Sequence, residues 1–201
     1  MIGWNVKLHG AAWKQAAAIG RKAKGGATRE ALKKAVLQEA LYIHGLMVQG
    51  MLSGAPAGQA FARHSPLTMA IASVRGTSGT KILIQSGTLL GSIKVTPIAG
   101  GAFVGVKRGS GGGYQLATLH EYGKSWMMTD GQRKFIGAML RMSGISADAD
   151  RGGGAGGGGG RITIPARPFI GPILAAHCKP EQVKKRINDR LAPLLRQVFR
   201  G

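Results

Sequence analysis

Leu32, Val36, Ala40, Ile43, Met47 and Met51 recur every three or four residues, the spacing that lays side chains along one face of an α-helix. Such a stripe needs other elements to cover it, so this segment commits the chain to a core built around one long helix. Thr28 stands ahead of the stripe as a candidate N-cap, just after the helix breakers Gly25 and Gly26. A second apolar set, Leu37, Leu41, Val48 and Leu52, lies about 100° or more around the same wheel. One face can serve the domain's own core and the other a neighbouring subunit. His44 falls near these positions. With no Cys, His or carboxylate three or four residues further on, it reads as a packed, hydrogen-bonded side chain rather than a metal ligand.

The chain of 201 residues suits one domain with appendages. Residues 4–8 alternate like a short strand, and residues 11–24 are alanine-rich and basic, a helix or an arm. Residues 1–27 therefore separate as an N-terminal strand, arm and basic segment, and residues 28–201 as a single domain. Residues 53–80 read as a long connection in which Ser65-Pro66-Leu67-Thr68 starts a short helix over 65–74. A short apolar run over 81–85 leads through a turn at Ser86-Gly87 into an alternating segment over 92–96. Pro97 and Gly100-Gly101 then make a turn, and residues 92–107 form a predicted β-hairpin.

A short helix is predicted over 114–122, stopped by Gly123. A further helix within 126–142 would carry Phe135, Ile136, Met139 and Leu140 on one side. Residues 151–160 are nearly pure glycine and cannot offset their ordering entropy by burial, so they read as a mobile or extended loop within a long insertion over 124–160. The remainder is a strand over 161–165 ended by Pro165, a short helix near 173–177, and a terminal helix from Pro180. In that last helix Val183, Ile187, Leu191, Leu194 and Val198 point inward, Lys184, Lys185, Arg186 and Arg190 elsewhere, and Pro193 kinks the final turns. The expected fold is α+β, a small antiparallel sheet packed with a long N-terminal helix and a C-terminal helix, plus extended glycine-rich loops.

Charge narrows the choice of neighbours. Against 8 Asp and Glu stand 28 Lys and Arg, a net charge of +20, so the surface attracts polyanions, either a nucleic acid or an acidic protein face. Cys178 is the only cysteine, which excludes an intrachain disulfide and a cysteine-based zinc cluster and fits a reducing cytoplasm. No apolar run reaches the roughly 20 residues of a membrane span, and residues 1–10 lack the apolar stretch of a signal peptide.

Catalytic patterns fail on inspection. The eight acids, Glu30, Glu39, Glu121, Asp130, Asp148, Asp150, Glu181 and Asp189, are scattered, and the close pair Asp148 and Asp150 sits beside the glycine tract, a poor support for a rigid site. His120-Glu121 begins like a zinc-protease helix, but Lys124 stands where the second histidine belongs. Neither glycine-rich stretch continues into Gly-Lys-Ser/Thr, and Ser86-Gly87 lacks the Gly-x-Ser-x-Gly elbow of a hydrolase. No catalytic residue, metal ligand or cofactor-binding residue is therefore assigned.

Three blocks in order carry a resemblance. They are Leu83-Ile84-Gln85-Ser86-Gly87-Thr88-Leu89-Leu90-Gly91-Ser92-Ile93, Tyr114-Gln115-Leu116-Ala117-Thr118-Leu119-His120-Glu121-Tyr122-Gly123, and Ile164-Pro165-Ala166-Arg167-Pro168-Phe169-Ile170-Gly171. Their order and spacing resemble the phage virion morphogenesis, or tail completion, family. The chain departs from that pattern with Ser86 for threonine, Tyr122 for phenylalanine and a longer connection over 124–160. Within the blocks Ser86, Gly87, Leu89, His120, Glu121, Gly123, Pro165, Arg167, Pro168 and Phe169 are the candidate assembly and structural residues. Pro165 and Pro168 should hold an extended link that delivers Phe169 to a pocket. Arg167 should hydrogen-bond carbonyls or Glu121, an intersubunit pair being the alternative.

The resemblance implies a structural virion protein, not an enzyme. Such a protein forms a homo-oligomeric ring, often a hexamer, at the head–tail junction. Its partners would be copies of itself and the tail tube or head connector proteins, with double-stranded DNA passing through the lumen and no membrane involved. It would be made in the host bacterial cytoplasm and reside in the virion. Lys184, Lys185 and Arg186 are the candidate DNA-facing surface. The alternative is a basic nucleic-acid-binding module without catalytic activity, which the charge favours and the few aromatics (3 Trp, 3 Tyr, 5 Phe) disfavour.

Overall fold

A computed structural model describes residues 26–76, 81–84, 86–109, 112–144 and 160–200. The segment expected as a strand and arm over 1–24 and most of the glycine tract lie outside the described residues.

Helix α1 (Gly26–Ser53) spans 28 residues, about 42 Å at the α-helical rise. Its predicted stripe faces the core: Val36, Ala40, Ile43, Met47 and Met51 are buried, and Leu32 is half-buried. Thr28 is not a cap; it lies inside the helix and is buried. A 3-10 turn (Pro56–Gly58) follows, folded back so closely that a Cβ on Gly50 would stand 2.9 Å from Pro56. Helix α2 (Pro66–Val74) starts as predicted, the Ser65 hydroxyl accepting the Thr68 N–H.

Helix α3 (Thr88–Ser92) is a single short turn entered through Gly87 at φ +69°, a left-handed conformation that a side chain resists. It runs straight into β1 (Ile93–Ile98), which pairs antiparallel with β2 (Gly101–Val106) in the register Ile93↔Val106 to Ile98↔Gly101. The predicted hairpin is therefore present. Helix α4 (Gly112–Tyr122) ends at Gly123, whose φ is +69°.

The segment expected as a loop insertion over 124–160 contains the helix expected within 126–142 and, beyond that expectation, a strand. It holds β3 (Lys124–Met127) and α5 (Asp130–Met142), and β3 pairs antiparallel with β4 (Arg161–Ile164). The cause is local chemistry that glycine content obscures. Thr129 and Gln132 form a reciprocal capping box that launches α5, and the Met128 N–H bonds the Gly160 carbonyl to close the strand pair. The fold is α+β as expected, with two small antiparallel sheets among the described residues, each two-stranded. Helices α6 (Gly171–His177) and α7 (Pro180–Arg200) complete the chain, and α7 continues through Pro193.

Helix α1 packs against α7, α6 and the β1–β2 hairpin, so it is the central element. The core joins Ile43, Met47 and Met51 of α1 to Phe61, Leu89, Ile93, Val104, Ala117, Phe169 and Ile173. Helices α2 and α5 pack on each other away from α1. Of the second apolar set of α1, Leu37, Leu41 and Leu52 are 36%, 52% and 42% exposed, and Val48 is half-buried. His44 is half-buried, its Nε2 3.3 Å from the Ile93 carbonyl, in the role expected of it.

Candidate functional site

The three blocks, spread over residues 83–171, meet in space. From the first, Leu89 and Ile93 enter the core at 3% and 2% exposure. The Ser86 hydroxyl donates to Thr88 Oγ1 at 2.9 Å and tightens the turn before α3. From the third, Phe169 is fully buried in the same cluster.

The second block holds the third through Glu121. Its carboxylate accepts the backbone N–H groups of Phe169 (3.0 Å), Ile170 (3.2 Å) and Gly171 (2.7 Å). These are groups that no helical carbonyl reaches at the start of α6, so a carboxylate there satisfies orphan donors and meets the favourable end of the helix dipole. Contact is tight enough that a Cβ on Gly171 would stand 2.9 Å from Glu121 Oε1. Gly123 is constrained twice, by its positive φ and because a Cβ there would lie 2.8 Å from both the Ile164 carbonyl oxygen and the Ala166 nitrogen.

Arg167 ties the segment 165–171, a strap between β4 and α6, to the loop before α2. Its backbone N–H bonds the His120 carbonyl, while Nε and Nη2 donate to the carbonyls of Ala62 (2.7 Å) and Arg63 (2.9 Å). It therefore bonds carbonyls, the first of the two expectations, and not Glu121. The residue is buried and makes no ion pair among the described residues. His120 and His64 are held below the ordinary imidazole range, first by loss of water and then by the Arg167 charge. Burial likewise lowers the Arg167 guanidinium. Pro165 is exposed and Pro168 half-buried on either side of it.

A separate polar cluster joins α1 to α7. The buried Glu39 carboxylate receives three bonds from Arg186, Nε to Oε1 at 2.9 Å and to Oε2 at 3.2 Å and Nη2 to Oε1 at 2.7 Å, and a further one from Arg190. Both guanidinium groups lie over the Tyr42 ring, 5.2 and 5.4 Å from its centre. The bond to Glu39 raises the Arg186 pKa above its ordinary value. Arg186 was expected to share an exposed basic face with Lys184 and Lys185. Lys184 and Lys185 are exposed, but Arg186 is half-buried and engaged with Glu39 and the His177 carbonyl. Helical spacing alone places a side chain on a face without saying whether an acid waits there. Glu39 sits one position before the core residue Ala40, and a glutamate inside an apolar helical pattern was the signal for this pair.

No group of three or more metal-ligating side chains occurs among the described residues. No helix among the described residues is long and apolar enough to cross a membrane. Compared with family models, with curated proteins and with solved structures, the chain matches none.

Proposed function

We propose that this protein is a structural subunit of a ring at the head–tail junction of a tailed phage, joining tail to head by surface complementarity and catalysing no reaction. The observation that carries the reading is the bonding of Glu121 to the backbone of Phe169, Ile170 and Gly171. It makes one structural unit of motif blocks whose order and spacing resemble the tail completion family.

Two further features support the reading. The uncovered residues Leu37, Leu41 and Leu52 on α1 form an apolar stripe suited to a neighbouring copy in a closed ring. A net charge of +20 suits a lumen through which DNA passes. The partners in this reading are further copies of the chain, the tail tube and the head connector, and the place of action is the virion.

Electron microscopy of the purified protein, alone and mixed with tails, tests the proposal. Closed rings, or capped tail ends, are the expected result. A strict monomer in both preparations refutes it. The charge also favours the second reading, a nucleic-acid-binding module. Steep salt-dependent DNA retention by a protein that never forms rings would support that reading instead.

A further inference from the structure

A cleft of about 740 Å³ opens beside the strap, outside the packed core. Its size is that of pockets which engulf a ligand, commonly ~300–1,000 Å³. Three elements supply apolar walls: Leu67 and Ile71 from α2, Phe135 and Ile136 from α5, and Trp126 and Ile162 from the face of the β3–β4 sheet. At the lining also stand Arg63, His64, Lys81, His120 and Arg167, whereas no Asp or Glu lines it among the described residues.

The basic groups are not a random scatter of surface charge. Arg167 is 6% exposed, and it is close enough to His64 and His120 to act on both electrostatically. Its bonds reach only two carbonyls, so its charge meets no carboxylate among the described residues. His120 Nδ1 is buried with no hydrogen-bond partner among the described residues, the one such side-chain atom among them. A native interior satisfies nearly all its polar groups, so an orphan beside an unneutralised guanidinium marks a place where a ligand atom completes the arrangement.

From this charge complementarity we infer that the cleft is a docking site for an apolar peptide segment of a partner protein that carries a carboxylate side chain. The apolar walls would take the segment's aliphatic or aromatic side chains, and the carboxylate would face Arg167 and its basic neighbours. Ser65, Thr68 and Gln132 also stand at the lining. The Ser65 and Gln132 side-chain oxygens cap α2 and α5 and the Ser65 and Thr68 hydroxyls bond each other, which leaves one hydroxyl proton of that pair and the Gln132 amide N–H groups to meet a peptide backbone. Such donors offer nothing to a bare acyl chain, which favours a peptide over a fatty acid. This inference does not rest on ring formation, since a subunit that forms no ring retains the same cleft.

Fluorescence anisotropy on the full-length protein tests it. The probes are labelled, end-capped hexapeptides of Leu, Phe and Ala with one central Glu, each with a twin carrying Gln in that place. Saturable binding of Glu peptides, at least tenfold tighter than their twins, is expected. Ile136→Glu should abolish it and Lys81→Gln should weaken it several-fold. The twin comparison uses the unaltered protein and so holds even if a variant misfolds. Absence of saturable binding, equal affinity of the twins, or displacement of the peptides by tighter-binding laurate would each overturn the inference, the last by assigning the cleft to a lipid-like anion. Ring formation, read separately by microscopy, has no bearing on any of these outcomes.

Discussion

Glu121 Oε1 accepts the backbone N–H of Gly171 at 2.7 Å across 50 residues of sequence. With the bonds from Phe169 and Ile170 to Oε2, one half-buried carboxylate orders the whole start of α6. Hydrogen bonds to a charged group contribute about 1.5–3 kcal/mol each, less where solvent competes. Glu121→Ala should therefore destabilise the fold by about 3 kcal/mol or more, with Glu121→Gln intermediate because one acceptor oxygen survives. Urea unfolding measures both. Equal stability of Glu121→Ala and the unaltered protein would show that water replaces the carboxylate without loss.

Phe169 is fully buried and Arg167 holds the strap that delivers it. Phe169→Ala removes a core ring and should cost about 3–5 kcal/mol, enough to compromise a marginal domain. Arg167→Ala should cost about 1–3 kcal/mol by leaving carbonyls unpaired. Wild-type melting of Phe169→Ala would refute the role of Phe169 as the buried anchor of residues 165–171. Normal melting with lost rings for Arg167→Ala would instead move Arg167 to a subunit interface.

Glu39 is ion-paired with two arginines at once, so its removal leaves both without a carboxylate among the described residues. Breaking a buried pair costs about 3–5 kcal/mol, and the lower end applies here because the guanidinium groups keep some water. Glu39→Gln should therefore lower the melting temperature markedly, whereas Lys184→Gln with Lys185→Gln should not. The lysine variants should instead reduce DNA retention at low salt. Retention that survives the lysine changes unaltered removes these residues from any DNA-facing role.

Stability should fall on mild acidification. The His120 and His64 pKa values lie below the ordinary 6.5 in the folded protein, through burial and the Arg167 charge. The unfolded chain therefore binds more protons, and stability rises with pH. The contribution is complete above about pH 6.5 and is lost as pH falls from there through the folded pKa values. Melting followed from pH 7 to about pH 5 should show this slope, reduced in His120→Gln. A flat profile in the unaltered protein contradicts it.

Leu41 is 52% exposed on α1, on the stripe assigned to a neighbouring copy. Leu41→Glu should leave the melting temperature within about 0.5 kcal/mol equivalent of the unaltered protein, as surface changes do, while preventing assembly. Light scattering of the two proteins decides it. Rings that form normally with Glu at this position would place the interface elsewhere.

Periodicity was legible wherever a segment's own side chains decided its state. The stripe of α1, the β1–β2 hairpin, the Ser65 start of α2, the stop at Gly123 and the strand over 161–164 were all readable from spacing and turn residues. Over 124–160 the helix within 126–142 was readable, and the strand Lys124–Met127 was not. Pairing of β3 with β4 needs residues about 37 positions apart to meet, as Lys124 does with Ile164 and Met127 with Arg161, and a loop-closing contact of that kind leaves no local trace in composition. The same holds for the polar contacts. Sequence placed Glu121, Gly123, Arg167 and Phe169 in motifs and Arg186 on a helix face. Only the tertiary structure decided that Glu121 caps α6, that Arg167 bonds two carbonyls, and that Arg186 belongs to Glu39. The physical reason is range: helical and strand preferences act between neighbours, whereas a buried charge finds its partner only after packing has excluded water and brought distant backbone within about 3 Å.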